Sequence, residues 1–224
     1  MSRYLIGVLN LMFLFSLSAE SQEDLKFNSE LFVFPDFSIG VVRMKNNEKI
    51  NLALNYNIVT GKMVFKQKNQ IFDMVNYDKV DTVYIQQRKF VPFENVFYEV
   101  LDKGPVVLFI QHRGRIKQPP KPAAYGGTSE VSSSKYINNL QMGAEVYRRS
   151  SEAPLIVESD PEFWIRKDEK MYLVTNRNGL LKIFSDRKTE LREFLTRRKI
   201  DTRNPVHLKS VIEYYYSMNQ ERMP

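Results

Sequence analysis

The chain has 224 residues, no cysteine and a formal net charge of +7, from 33 Lys and Arg against 26 Asp and Glu. The missing cysteine excludes disulfide stapling, thiol catalysis, Cys-ligated zinc and iron–sulfur or thiol redox centres. About 200 residues can bury well over half of their unfolded surface, so apolar packing must supply the stability.

Residues 1–21 have the order of an export leader. Met1-Ser2-Arg3 is a basic start, Tyr4 to Leu17 an uncharged apolar run, and Ser16, Ser18, Ala19 and Ser21 are small. The run is shorter than the roughly 20 residues that span a bilayer as a helix, so the pattern predicts a signal peptide cut near Ala19–Ser21. No cysteine stands at the junction, which argues against a lipoprotein. The expected location is periplasmic or secreted, with no transmembrane segment in the mature chain.

Residues 22–117 form a β-rich region. Ile50, Leu52, Leu54 and Tyr56 alternate with Asn51, Ala53, Asn55 and Asn57, the period of a half-buried strand with the asparagines on its polar face. Asn46-Asn47 and Thr60-Gly61 bound it as turn-prone pairs. Met63 to Phe65, Ile71 to Val75, Val80 to Ile85 and Val96 to Leu101 continue the series. Val106 to Ile110 is apolar on both faces, which predicts a central strand. Strands at this spacing predict an antiparallel meander, curled like a barrel or folded as a small sandwich.

Residues 118–135 carry Pro119, Pro120, Pro122, Gly126, Gly127 and a serine run, and read as a polar loop or domain linker. In residues 136–224, Leu140 to Tyr147 reads as a strand returning to the sheet. Phe163 to Ile165 and Met171 to Val174 read as a hairpin around Lys167-Asp168-Glu169-Lys170. Two helices follow. Ser185 or Asp186 caps the first, with Leu191, Phe194 and Leu195 on one stripe. Asn204-Pro205 starts the second, with Leu208, Val211, Ile212 and Tyr215 at helical spacing. The fold class expected is α+β, a β meander followed by a C-terminal helical pair.

Several segments together resemble a family of uncharacterised exported proteins of Bacteroidota: Leu54-Asn55-Tyr56-Asn57 before a Gly turn and Met63-Val64-Phe65, Ala124-Tyr125-Gly126-Gly127, and Leu181-Lys182-Ile183-Phe184 before Arg187-Lys188 and the Tyr-rich helix. The resemblance covers the mature chain and implies the envelope of a Gram-negative cell. It implies no activity and transfers no functional residue.

Catalytic signatures are weak. A metal site would need His112 and His207 to meet with a carboxylate, yet His112 lies among Arg113 and Arg115. Glycoside hydrolysis would need two carboxyl groups about 5–10 Å apart, for which Glu94, Glu99 and Asp102 are the candidates. Glu99, between Phe97, Tyr98 and Val100, reads instead as a solvent-side strand position. No Gly-x-Ser-x-Gly elbow occurs, and Tyr125-Gly126-Gly127-Thr128 lacks the lysine of a phosphate loop. Catalytic residues, metal ligands and cofactors are therefore expected to be absent.

Two features carry binding expectations. Arg187, Lys188, Arg192, Arg197, Arg198, Lys199 and Arg203 gather around the first helix, offset only by Glu190 and Glu193, and suit an envelope protein, anionic lipid headgroup or acidic glycan rather than nucleic acid. Phe90, Phe93, Phe97, Tyr98, Trp164 and Tyr214-Tyr215-Tyr216 could form a sugar-stacking platform, although strand rings usually face the core. Asp81-Thr82-Val83 resembles an O-glycosylation triplet, with Thr82 as acceptor. The leading expectation is a non-enzymatic binding or envelope-assembly protein. Alternatives are a carrier enclosing a hydrophobic ligand in a curled sheet, and a carboxylate-dependent hydrolase.

Overall fold

The computed structural model describes residues 29–68, 70–117, 121–122, 128–129 and 156–220. Residues 1–21, expected to be a signal peptide, and Leu140 to Tyr147, expected to be a strand, lie outside these residues.

The meander forms as the alternation dictates. Strands β1 (Ser38–Met44), β2 (Lys49–Asn57), β3 (Lys62–Gln67), β4 (Gln70–Asp73), β5 (Val80–Ile85), β6 (Arg88–Phe93), β7 (Val96–Val100) and β8 (Val107–Gln111) follow one another. Short strands β9 (Gly114–Lys117), β10 (Lys121–Pro122), β11 (Thr128–Ser129) and β12 (Ile156–Ser159) come next, then the hairpin of β13 (Glu162–Lys167) and β14 (Lys170–Leu173). Ten strands make one antiparallel sheet in the order β14-β13-β8-β7-β6-β5-β1-β2-β3-β4, while β9 pairs with β12 and β10 with β11. Because β8 and β13 are neighbours, the segments before and after residues 118–135 share one sheet rather than forming separate domains. Val106 to Ile110 is indeed central, with Leu108 and Phe109 buried on opposite faces.

The sheet curls until β7 approaches β3, next to one edge. The amide of Phe97, at the start of β7, donates to the carbonyl of Gly61, beside β3, at 3.3 Å. Gly40 in β1 permits this curvature: a Cβ there would stand 2.4 Å from the Tyr84 carbonyl and 2.8 Å from Leu54. Two hairpins turn on paired left-handed residues, Glu94-Asn95 and Asp168-Glu169, whose backbone twist matches that of antiparallel strands.

One deviation from alternation organises the N-terminal segment. Phe32 bridges Asn57, the last residue of β2, but residues 34–37 leave the ladder before β1 begins. Asn55 fills that gap. Its Oδ1 accepts from the amide of Phe34 at 3.1 Å, and its Nδ2 donates to the Phe34 carbonyl at 2.8 Å. Asn57 likewise accepts from Val59 and Thr60. Both asparagines are fully buried, which corrects their assignment to a solvent face.

Three helices follow, not two: α1 (Arg177–Ile183), α2 (Lys188–Arg197) and α3 (Pro205–Gln220). Asn176 caps α1 by accepting from Gly179, and Asn204 caps α3 by accepting from Val206. Ser185 and Asp186 lie in a 3₁₀ turn and do not cap α2. Leu191, Phe194 and Leu195 of α2 and Leu208, Val211, Ile212 and Tyr215 of α3 are buried on the expected stripes. With Leu180 and Phe184 they cover Leu108, Phe163 and Ile165 of the sheet.

The concave side therefore carries two cores. One lies inside the curl around Leu54, Tyr56, Met63, Ile85, Phe90 and Phe97; the other lies under the helices.

Candidate functional site

A polar cluster sits between these cores. Arg88 opens β6, Glu99 stands in β7 and His112 follows β8, so register alone brings them to one face. Glu99 is directly opposite Phe90, whose ring is fully buried, and only 7% of it is exposed. Arg88 Nε donates to Oε1 of Glu99 at 2.6 Å, and its Nη2 pairs with Oε2. His112 Nε2 lies 2.7 Å from the same Oε2 and 2.8 Å from Arg88 Nη2. A proton on Nε2 serves the carboxylate; an unprotonated Nε2 accepts from the guanidinium. The Phe34 ring backs Arg88 with its centroid 4.9 Å from Cζ, and Tyr56 lies edge-on to His112 at 5.7 Å.

Burial on its own would raise the Glu99 pKa. Hydrogen bonds from His112 and Arg88, with their charge, outweigh it and hold the carboxyl below its usual value. Glu99 is thus not the solvent-side residue its neighbours suggested: its partners come from adjacent strands. The guanidinium holds both carboxylate oxygens of Glu99, and neither of the other two candidate acids joins it. Glu94 is exposed in the β6–β7 turn, and Asp102 lies past the end of β7, where it accepts from the Lys103 amide.

The two histidines do not meet. His207 is in the first turn of α3, where Nδ1 accepts from the Asp201 amide at 3.1 Å. Among the described residues no three of His, Asp and Glu converge to hold a metal ion.

The predicted basic residues divide. Arg187 turns inward, its side chain 11% exposed, and pairs with Glu190 at 3.7 Å. Lys188 and Arg192 lie one turn apart on an exposed flank of α2. Arg197, Arg198 and Lys199 gather at its C-terminal end, where the helix dipole favours cations, and Arg203 follows in the connection to α3. Ile200 donates to Leu195 there while Lys199 holds φ 49°, an αL end at which glycine is usual. Some cations of the β region are paired, Arg43 with Asp81, Lys62 with Asp73, Arg113 with Glu162 and Arg115 with Asp160, while Lys49, Lys66, Lys89, Arg166 and Lys170 make no ion pair among the described residues. Lys188, Arg192, Arg197, Arg198, Lys199 and Arg203 are exposed and make no ion pair among the described residues. A cleft of about 550 Å³ opens beside them, with Phe194, Tyr214, Arg198 and His207 in its walls.

The aromatic residues are divided rather than gathered on one face: Phe93 is 41% exposed beside Tyr98, and Trp164 lies edge-on to Tyr98. Phe90 and Phe97 are fully buried, and the tyrosine triplet is divided among three packing roles. Tyr214 stacks on Phe194 at 4.2 Å, Tyr215 donates to Asp186 at 2.8 Å, and the Tyr216 hydroxyl meets both the amide and carbonyl of Val106. Thr82 is 2% exposed and its hydroxyl donates to Asp81 at 2.8 Å, so the folded strand offers no room there for a sugar.

No family model matches the chain, and neither a curated protein nor a solved structure is found to match it.

Proposed function

We propose that this is an exported, non-enzymatic envelope protein that engages an anionic partner through its helical end. The observation that carries the reading is the clustering of charge: Lys188, Arg192, Arg197, Arg198, Lys199 and Arg203 stand exposed together on and just after α2, none with a carboxylate partner among the described residues. Uncompensated charge on a rigid element attracts an opposite surface at low cost, because no ion pair must first be broken. The leader-like N-terminus and the resemblance to exported Bacteroidota proteins supply the compartment, in which anionic headgroups, acidic glycans and acidic protein faces are the available partners.

Binding is favoured over hydrolysis because Glu99 is held by Arg88 and His112. It is favoured over lipid carriage because Tyr56, Phe90, Phe97, Met63 and Leu54 occupy the inside of the curl with no exposed surface.

The test compares the mature protein with a triple variant, Arg192→Glu, Arg198→Glu and Lys199→Glu. Co-sedimentation would use vesicles of neutral phosphatidylcholine with and without anionic phosphatidylglycerol, and retention would be measured on an immobilised acidic polysaccharide. Wild-type protein should bind at least one anionic matrix in a salt-sensitive way, and the variant should not. Wild-type binding to none of them, or equal binding by the variant, overturns the proposal.

A further inference from the structure

The sheet ends at β14, and this edge is a separate feature from the basic helical end. Val174 donates its amide to the Phe163 carbonyl at 2.9 Å, and Trp164 faces Leu173 while Ile165 faces Tyr172. In an antiparallel pair the bonded residues alternate, so Tyr172 and Lys170 bond to β13. The N–H and C=O groups of Met171 and Leu173 then point away from the sheet. No hydrogen-bond partner for them occurs among the described residues.

A cleft of about 630 Å³ runs along this edge. Met171, Tyr172 and Leu173 all line it, although consecutive strand residues face opposite sides of a sheet. A space that touches all three must follow the backbone edge itself. Its far wall is α1, through Asn178, Gly179 and Lys182. Leu173 is 37% exposed, Lys182 brings positive charge into the cleft, exposed Lys170 opens the same strand just outside it, and no Asp or Glu lines the cleft. Outward donors and acceptors at strand spacing fit an extended backbone and no compact ligand.

We propose that β14 captures an extended peptide segment of a partner protein, added as an eleventh strand between the edge and α1. The bound segment alternates apolar and acidic side chains. Its apolar residues meet Leu173 and Met171, and its carboxylates meet Lys170 and Lys182. The backbone of Met171 and Leu173 supplies the ladder, and the side chains supply the choice of sequence.

The test selects binders to the intact mature protein from a phage-displayed library of random peptides about ten residues long, the length of one strand. Recovered sequences should alternate apolar and acidic residues. Synthetic copies should lose at least about tenfold in affinity against Leu173→Pro, which removes an outward N–H and no internal ladder bond. Lys182→Glu should weaken them as well. Should Leu173→Pro unfold, the same peptides N-methylated at alternate amides serve instead: methylation on the edge-facing amides should abolish binding. Recovery of no peptide, or binding that ignores both Leu173→Pro and N-methylation, overturns the proposal. So does a wild-type dimer that Leu173→Pro dissociates, because the edge would then be filled by a second copy.

Discussion

Arg88 takes both oxygens of the Glu99 carboxylate across the β6–β7 ladder, with Nε 2.6 Å from Oε1, at the point where the two cores of the concave face meet. The pair is an internal counterweight: neither charge could sit there alone. Glu99→Gln should destabilise the fold by about 2–3 kcal/mol in urea unfolding, below the roughly 3–5 kcal/mol of a fully enclosed pair, since the Arg88 side chain keeps 31% exposure. Arg88→Met in the Glu99→Gln background should recover part of the loss, because it removes the orphaned charge.

Acid should weaken the protein through the same carboxyl. The folded pKa of Glu99 lies below that of a free glutamate, and those of Asp186 and Asp81 lie below that of a free aspartate. A depressed folded pKa contributes stability above the unfolded value and loses it as pH falls through the folded one. Urea midpoints should therefore hold steady near neutrality and drop below about pH 4.5. In Glu99→Gln the drop should be shallower. An equal slope in both proteins would remove Glu99 from this role.

Asn55 replaces the ladder where residues 34–37 depart from β2. Asn55→Ala should cost about 2–3 kcal/mol, since unpaired buried backbone groups each lose roughly 1–3 kcal/mol. Amide exchange at Phe34 should quicken by more than the global change in stability explains. Asn55→Asp keeps the acceptor but loses the bond to the Phe34 carbonyl, and should fall between the two.

Tyr216 bolts α3 to the entrance of β8. Its hydroxyl lies 2.6 Å from the Val106 amide and 3.0 Å from the Val106 carbonyl. Tyr216→Phe should lower stability by about 1–2 kcal/mol and leave secondary structure unchanged by circular dichroism. Tyr214→Phe, which preserves the stack on Phe194, should be nearly silent.

What could be read directly from the residues was whatever depends on local period. Ile50, Leu52 and Leu54 announced their strand, Val106 to Ile110 its central place, and Asn204-Pro205 the start of α3. What escaped were polar residues whose partners lie far along the chain. Asn55 answers Phe34, 21 residues away, and Glu99 answers Arg88 and His112, so a rule that sends polar side chains outward misplaced both. The helix α1 escaped for a different reason: seven residues are too few to display a period, although Asn176 three places before Gly179 was an available capping signal. Of the basic residues, composition could gather them but not orient them. Only the structure shows that Arg187, in the 3₁₀ turn before α2, turns inward while Lys188 and Arg192 on the helix face out.

The adjacency of β8 and β13 has a consequence for biogenesis. A growing polypeptide finishes β1 to β8 and then must add everything from residue 112 to residue 161 before the strand that flanks β8 exists. Until that moment the row of hydrogen-bonding groups along β8 is bare, and the apolar floor later roofed by α1 to α3 lies open to water. Products that stop short of Glu162 should accordingly be sticky and poorly recovered, and the last-made quarter of the molecule decides whether the rest stays out of trouble.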